Sequence, residues 1–206
     1  MHLALDALEK FIHADQQLPP LIRIGMIHYQ FEAIHPCLDG NGRVGRLLIV
    51  LLLCEWGLLS QPLLNLSVYI ERYRQEYYDL LLAVSQKGDW EAWLQFFLRG
   101  VSEQAQESVF RMEVLLRLRE EYQPLADRER NSKRMSAVID FLFSRPVLTV
   151  RQAAEGLEIP FKTAQAYLSR LVEAGVLRET TGFARNRIYQ ADAILNGVQG
   201  SDFDFE

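Results

Sequence analysis

Twelve residues in the first quarter of the chain, HPCLDGNGRVGR at 35–46, bring together groups suited to handling phosphate. Gly40 and Gly42 flank Asn41, so the backbone there can adopt unusual φ/ψ and a ligand can approach it closely. Successive N–H groups can then turn inward as an anion nest. A helix that follows would add its free N-terminal donors and its dipole. Arg43 and Arg46 are three apart and share a face of that helix's first turn, where two guanidiniums can clamp phosphate oxygens. Asp39 is a hard oxygen ligand beside the nest, able to hold Mg2+ with one carboxylate plus phosphates. His35, at the mouth of the loop, can accept a proton near neutral pH. GNG alone is a common turn, and a lone His before Pro is often structural. The conjunction of base, metal carboxylate, nest and arginine clamp describes a phosphoryl- or nucleotidyl-transfer site. No GxxxxGK[ST] occurs, so it is not a Walker A loop.

These groups need elements to hold them. Helical apolar spacing predicts helices over 3–13 and 21–34, the second ending at the loop. A third helix runs from Asn41-Gly42 to about Trp56, apolar nearly all round after Arg46, and is expected as the buried central helix, with Gly57 as its C-cap. Further helices are predicted over 69–86, 90–100 and 101–122. The stretch 124–133 is polar and charged and reads as a linker.

After it, 134–144 is helical, Thr149 is an N-cap for 150–157, and Pro160 opens a helix over 161–173 that Gly175 ends. Short strands are expected at 176–178 and 187–190. That order is the order of a winged helix-turn-helix, placed at 134–198, with a disordered tail at 199–206. The helix 161–173 would be its recognition helix, with Lys162, Thr163, Gln165 and Arg170 as candidate DNA contacts. Arg185 and Arg187 would lie on the wing. Glu173 and Glu179 dilute that patch, and such domains also bind proteins.

With 49% hydrophobic and 24% charged residues, the 206-residue chain has the composition of a globular protein of one or two domains. The fold class is mainly α, with a small α+β region at the C-terminal end. A net charge of -5 argues against a dedicated nucleic-acid binder. Cys37 and Cys54 form no CxxC pair and are expected as buried free thiols in a reducing compartment. His2, His13 and His28 lack metal-ligand spacing and are expected on the surface or in packing. The longest apolar run, 47–54, is too short to span a bilayer. The N-terminus lacks the basic start of a signal peptide, so a cytoplasmic protein is expected.

The loop 35–46 resembles the signature of the Fic family, HPFx(D/E)GNGRxxR. The segments LPPL at 18–21, HYQFE at 28–32 and EYYDLL at 76–81 are similar to those of Fic proteins with a C-terminal winged helix. The resemblance covers most of the chain and places the Fic core and a connector helix at 1–123. It implies protein adenylylation: ATP as substrate, Mg2+, and a Ser, Thr or Tyr hydroxyl of an unidentified protein as acceptor. By this resemblance His35 is the general base, and Asp39 holds Mg2+. Gly40, Asn41 and Gly42 bind phosphates through the backbone, and Arg43 and Arg46 hold the outer phosphates. Tyr77 and Tyr78 match positions near the adenine, although spacing alone reads them equally as helix-core aromatics. Ser85 stands where relatives carry an adenine-contacting Asn. Cys37 replaces the family's Phe, which leaves space beneath the loop. The family's target-aligning flap lies N-terminal of this region and is expected to be absent here. The inhibitory (S/T)xxxE(G/N) motif is also absent from the sequence. The alternative function is a winged-helix transcriptional regulator whose Fic-like domain senses nucleotide. A homodimer is an open assembly state.

Overall fold

The computed structural model describes residues 1–14, 17–182 and 187–199. It is mainly helical, with one small sheet, as the composition and periodicity imply. The chain forms two compact units, Met1–Ser108 and Val109–Glu206. No helix among the described residues is long and apolar enough to cross a membrane.

The first unit contains α1 (His2–His13), α2 (Pro20–Ile34), α3 (Asn41–Glu55), α4 (Leu66–Arg72), α5 (Arg74–Lys87) and the start of α6 (Trp90–Asp127). Pro20 opens α2 at a position where its missing N–H has no helical partner to lose. Ile24 and Ile27 of α2 pack with Ile49, Leu52 and Leu53 of α3, and with Trp93, Phe96 and Phe97 of α6. The indole N–H of Trp93 donates to the Gly25 carbonyl at 3.0 Å, pinning α6 against α2. Arg23 donates to the carbonyls of Phe11, Ile12 and Ala14 at the end of α1, and stacks over Trp56 at 4.4 Å.

Three expectations change. The helix expected over 69–86 is two, because the chain breaks at Tyr73 (φ -112, ψ 37) between α4 and α5. The helices expected over 90–100 and 101–122 are one, with Gly100 held inside it against the Tyr69 ring and Pro124 within its last turns. The central helix α3 is not buried all round. Leu47 and Leu51 are each 56% exposed and continue a stripe from Val44, opposite the face carrying Ile49, Leu52 and Leu53.

The second unit holds the rest of α6, then α7 (Ser132–Ser144), β1 (Val147–Thr149), α8 (Val150–Gly156), α9 (Phe161–Glu173), β2 (Arg178–Glu179), β3 (Ile188–Gln190) and α10 (Asp192–Gln199). Met135, Val138, Ile139 and Leu142 are the i, i+3, i+4, i+7 stripe of α7, and Ala164, Tyr167, Leu168 and Leu171 repeat it on α9. Both stripes enter one core with Leu148, Tyr189 and Ile194. Thr149 caps α8, with Gln152 completing a capping box. The sheet order is β1-β3-β2, antiparallel throughout, with Leu148 opposite Tyr189. Neither β1 nor α10 was expected. Three residues are too few to show a period, and the tail expected from 199 lies almost wholly outside the described residues.

Candidate active site

Helix α2 ends where Pro36 makes the helical conformation unfavourable for the residue before it. His35 takes the left-handed region instead (φ 51, ψ 57), its N–H still reaching the Phe31 carbonyl at 3.1 Å. A side chain in that region is strained by about 1–3 kcal/mol, and such strain gathers at functional sites. The turn leaves the imidazole exposed.

The next turn is closed by Asn41. Its Oδ1 accepts from the Cys37 N–H at 2.8 Å and its Nδ2 donates to the Cys37 carbonyl at 2.6 Å. Asn41 is only 3% exposed, so its side chain braces the loop from inside. What remains for a ligand is its backbone N–H. Gly40 precedes it at φ +82, a conformation that strains any other residue. No side chain among the described residues caps α3, and the helical bonds begin with Val44 N–H to Gly40 O. The N–H groups of Asn41, Gly42 and Arg43 therefore form an open N-terminus suited to an anion.

Both arginines fold back over this N-terminus. The Nη2 of Arg43 lies 3.2 Å from where a Cβ on Gly40 would stand, and the Nη1 of Arg46 lies 3.1 Å from the same point on Gly42. The glycines thus admit the guanidiniums as well as the turn. Arg46 is held there by its Nε, which donates to Ser67 Oγ at 3.1 Å. Asp39 is almost wholly exposed, its Oδ1 accepting from the Gly40 N–H at 2.7 Å and its Oδ2 standing 3.4 Å from Arg43 Nη2. No group of three or more His, Cys, Asp or Glu among the described residues could hold a metal by itself. A lone carboxylate beside a phosphate nest fits Mg2+ carried in by phosphates.

The structure brings His35, Asp39, Gly40, Asn41, Gly42, Arg43 and Arg46 into one loop and helix start. Tyr78 stands apart on α5, 53% exposed, with the Arg74 guanidinium 5.9 Å from its ring. Tyr77 lies in the core, its hydroxyl 3.0 Å from His28 Nε2. Burial pushes that phenol well above its ordinary pKa. His28 is 1% exposed, and burial lowers its pKa to about 4, with Arg46 adding to the effect and the Gly45 backbone opposing it. It is the packing residue expected, and neutral at physiological pH. Cys37 and Cys54 are free and half-buried. A groove of about 220 Å3 beside the loop is lined by Tyr29, Glu32, Ala33, Leu81, Leu82 and Ser85, and Tyr29 and Ser85 share a hydrogen bond of 2.8 Å across it. Ser67 and Glu32 had no sequence signal of chemistry. Each is read only from what it touches.

In the second unit, Lys162 and Gln165 are exposed on α9 and Thr163 is half-buried. Arg170 is paired with Glu129, and Arg187 lies 3.5 Å from Glu179. Arg185 lies outside the described residues.

Residues 2–53 match the sequence model of the Fic/DOC family. Over 50 residues the chain is 48% identical to a probable protein adenylyltransferase of Aquifex aeolicus (strain VF5), covering 24% of this chain and 16% of that protein. Over 98 residues it is 32% identical to the protein adenylyltransferase Fic of Culex quinquefasciatus, covering 47% of this chain and 18% of that protein. The chain therefore spans less than a fifth of the length of these two curated relatives. The crystal structure of a Fic family protein from Desulfovibrio desulfuricans G20 is similar in fold, with a TM-score of 0.50 at 22% identity over 92% of this chain and 54% of that one.

Proposed function

We propose that this chain, which carries a Fic/DOC family segment at residues 2–53, is a protein adenylyltransferase that moves AMP from ATP to a Ser, Thr or Tyr hydroxyl of another protein. The observation that carries this reading is the convergence of Arg43 and Arg46 over the uncapped start of α3, with His35 exposed at the other end of the same loop.

The backbone N–H groups of Asn41, Gly42 and Arg43 would take phosphate oxygens, and the two guanidiniums would hold the outer phosphates bidentately. Asp39 would hold Mg2+, which neutralises phosphate charge when bound. His35 takes the proton of the target hydroxyl as its oxygen bonds to the α-phosphorus. The bond from that phosphorus to the bridging oxygen breaks, and pyrophosphate leaves with the electron pair. The product is an AMP ester on the target, and the imidazolium releases its proton to solvent. Tyr78, exposed on α5, would meet the adenine, and Tyr77, packed edge-on against the Tyr78 ring at 5.3 Å and anchored in the core by His28, would support that ring from beneath.

The test is transfer of α-labelled AMP from ATP and Mg2+ onto lysate proteins or onto the chain itself. Wild type is expected to label and His35→Ala to lose about 10²–10⁴-fold in rate while keeping ATP affinity. Equal labelling by the two proteins would overturn the role of His35, and absence of labelling by wild type with ATP still bound would overturn the activity. The same site could accept another nucleotide donor, which the mass of the adduct distinguishes.

A second reading rests on the second unit. The order α7, β1, α8, α9, β2, β3 with α9 presenting Lys162 and Gln165 supports a winged helix-turn-helix at 134–198. In that reading the chain is a cytoplasmic regulator whose nucleotide site tunes DNA binding, alone or as a homodimer. DNA affinity that changes with ATP, in a chain without transferase activity, would favour it.

A further inference from the structure

Under the loop, two buried polar atoms crowd the face of Gly45 in α3. A Cβ on Gly45 would overlap Glu32 Oε1 and would stand 3.2 Å from His28 Nδ1. Neither atom has a hydrogen-bond partner among the described residues. Both side chains leave the same face of α2, four residues apart, so the helix itself sets them beside each other. Buried polar groups without partners are costly, and such a pair calls for a physical reason.

The reason lies on the far side of the His28 ring. Its Nε2 is 3.0 Å from the Tyr77 hydroxyl, the one hydrogen bond of that buried phenol among the described residues. His28 is neutral, because burial lowers its pKa to about 4. A neutral imidazole carries one proton, so one ring nitrogen donates and the other accepts. What faces Nδ1 decides which. Glu32 is an acceptor there: burial raises its carboxyl, but the Arg46 cation favours the ionised form. The Gly45 backbone favours the protonated ring, as an accepting carbonyl does and a donating N–H does not. Trp93, stacked on the ring at 6.0 Å, gives its N–H to the Gly25 carbonyl instead. With the proton on Nε2, the Nδ1 lone pair would face a carboxylate. With the proton on Nδ1, a donor faces an acceptor, and Nε2 is free to accept from Tyr77.

We propose that Glu32 is a positioning residue for the tyrosine pair of α5: across the face of Gly45 it holds the His28 proton on Nδ1, so that Nε2 accepts from the Tyr77 hydroxyl and fixes the ring on which Tyr78 packs. The Tyr77 and Tyr78 rings meet edge-on at 5.3 Å, so the orientation of one constrains the other. Gly45 belongs to this device, since a Cβ there would take the space of the carboxylate. Glu32 touches no substrate in this role. Under the proposed function, on which this step rests, its effect falls on the adenine end of ATP and not on the phosphates.

The tautomer is read without any turnover, by NMR of the full chain with nitrogen-15-labelled histidine at about pH 7.5. The His28 ring is assigned by its loss in His28→Gln. Wild type is expected to show Nδ1 protonated and Nε2 bare. Glu32→Leu removes the acceptor and is expected to move the proton to Nε2. Glu32→Gln, whose amide oxygen still accepts, is expected to keep it on Nδ1. A proton on Nε2 in the wild type would overturn the proposal without any variant, and so would an unchanged Nδ1 proton in folded Glu32→Leu. Calorimetry then compares ATP with inorganic triphosphate, each with Mg2+. Glu32→Leu is expected to weaken ATP binding about three- to tenfold, with Glu32→Gln close to wild type. Triphosphate is expected to bind Glu32→Leu at least as tightly as wild type, because Arg46 loses an opposing charge. Equal weakening of both ligands would show that Glu32 acts through the phosphate loop, and would overturn its positioning of the tyrosines. Wild type that binds ATP no better than triphosphate, with the tautomer switch present, would overturn the adenine placement in the proposed function and leave the Glu32–His28–Tyr77 chain standing.

Discussion

Asn41 is tied twice to the backbone of Cys37, accepting from its N–H at 2.8 Å and donating to its carbonyl at 2.6 Å. The asparagine of the GNG triplet thus shapes the loop that the glycines leave free to bend. Asn41→Ala removes both bonds and strands two partly buried backbone groups, each costing about 1–3 kcal/mol. The expected result is a loss of roughly 2–6 kcal/mol in urea denaturation, together with loss of ATP binding. Asn41→Asp keeps the acceptor, loses the donor and brings a negative charge to an anion site, so it is expected to weaken ATP binding more than its stability cost alone implies. Equal ATP affinity in wild type and Asn41→Ala would show that the loop holds its shape without the brace.

Gly42 and Arg46 offer a contrast of sign. In α3 an alanine in place of glycine gains helix propensity of about 0.5–1 kcal/mol. Its Cβ, however, would stand 3.1 Å from Arg46 Nη1. Gly42→Ala is therefore expected to be as stable as wild type or slightly more so in thermal denaturation, yet to bind ATP several-fold more weakly by calorimetry. Ser67→Ala releases the Nε of Arg46 by another route, and is expected to raise KM for ATP a few-fold with less effect on kcat. A stable Gly42→Ala with undiminished affinity would place the Arg46 guanidinium elsewhere in the nucleotide complex.

The candidate loop was legible in the sequence because its polar and charged groups are contiguous. His35, Asp39, Arg43 and Arg46 lie within twelve residues, and glycine and asparagine spell out the turn between them. What lies behind the loop was not legible. Ser67 meets Arg46 across 21 residues and Tyr77 meets His28 across 49, and such pairings exist only once helices pack. Tyr77 and Tyr78 show the same limit: adjacent in sequence, one is in the core and the other is exposed. In the second unit the helical stripes of α7 and α9 were readable from period alone. Strand β1 has three residues and acquires its identity from pairing with β3.

His28 sets a pH dependence of stability. Its folded pKa of about 4 lies below the 6.5 of a free imidazole, chiefly because burial disfavours the charged ring. The unfolded chain therefore binds a proton between those values that the folded chain does not. Stability from this group is fully present above about pH 6.5, falls as pH drops toward 4, and is flat below that. The span corresponds to about 3 kcal/mol. His28→Gln, which can still hydrogen-bond Tyr77, is expected to be less stable at pH 7.5 and to lose most of the decline between pH 6.5 and 4. Parallel urea titrations of both proteins across that range measure it, and identical slopes would remove His28 as the source.

Arg170 and Glu129 bear on the nucleic-acid reading of α9. Their ion pair neutralises one of the cations that could reach a phosphate, while Lys162 stands exposed on the same helix. Each phosphate that a cation neutralises adds about one unit to the slope of log K against log salt. Lys162→Ala is therefore expected to lower that slope by about one for the full chain on duplex DNA. Glu129→Gln frees the Arg170 guanidinium and is expected to raise the slope by up to about one and to tighten binding at low salt. Fluorescence anisotropy over a salt series reads both changes. Wild type and Glu129→Gln that both fail to bind duplex DNA at low salt would assign α9 to a protein partner. Tight binding that is indifferent to both substitutions would place the DNA contacts on another face of the second unit.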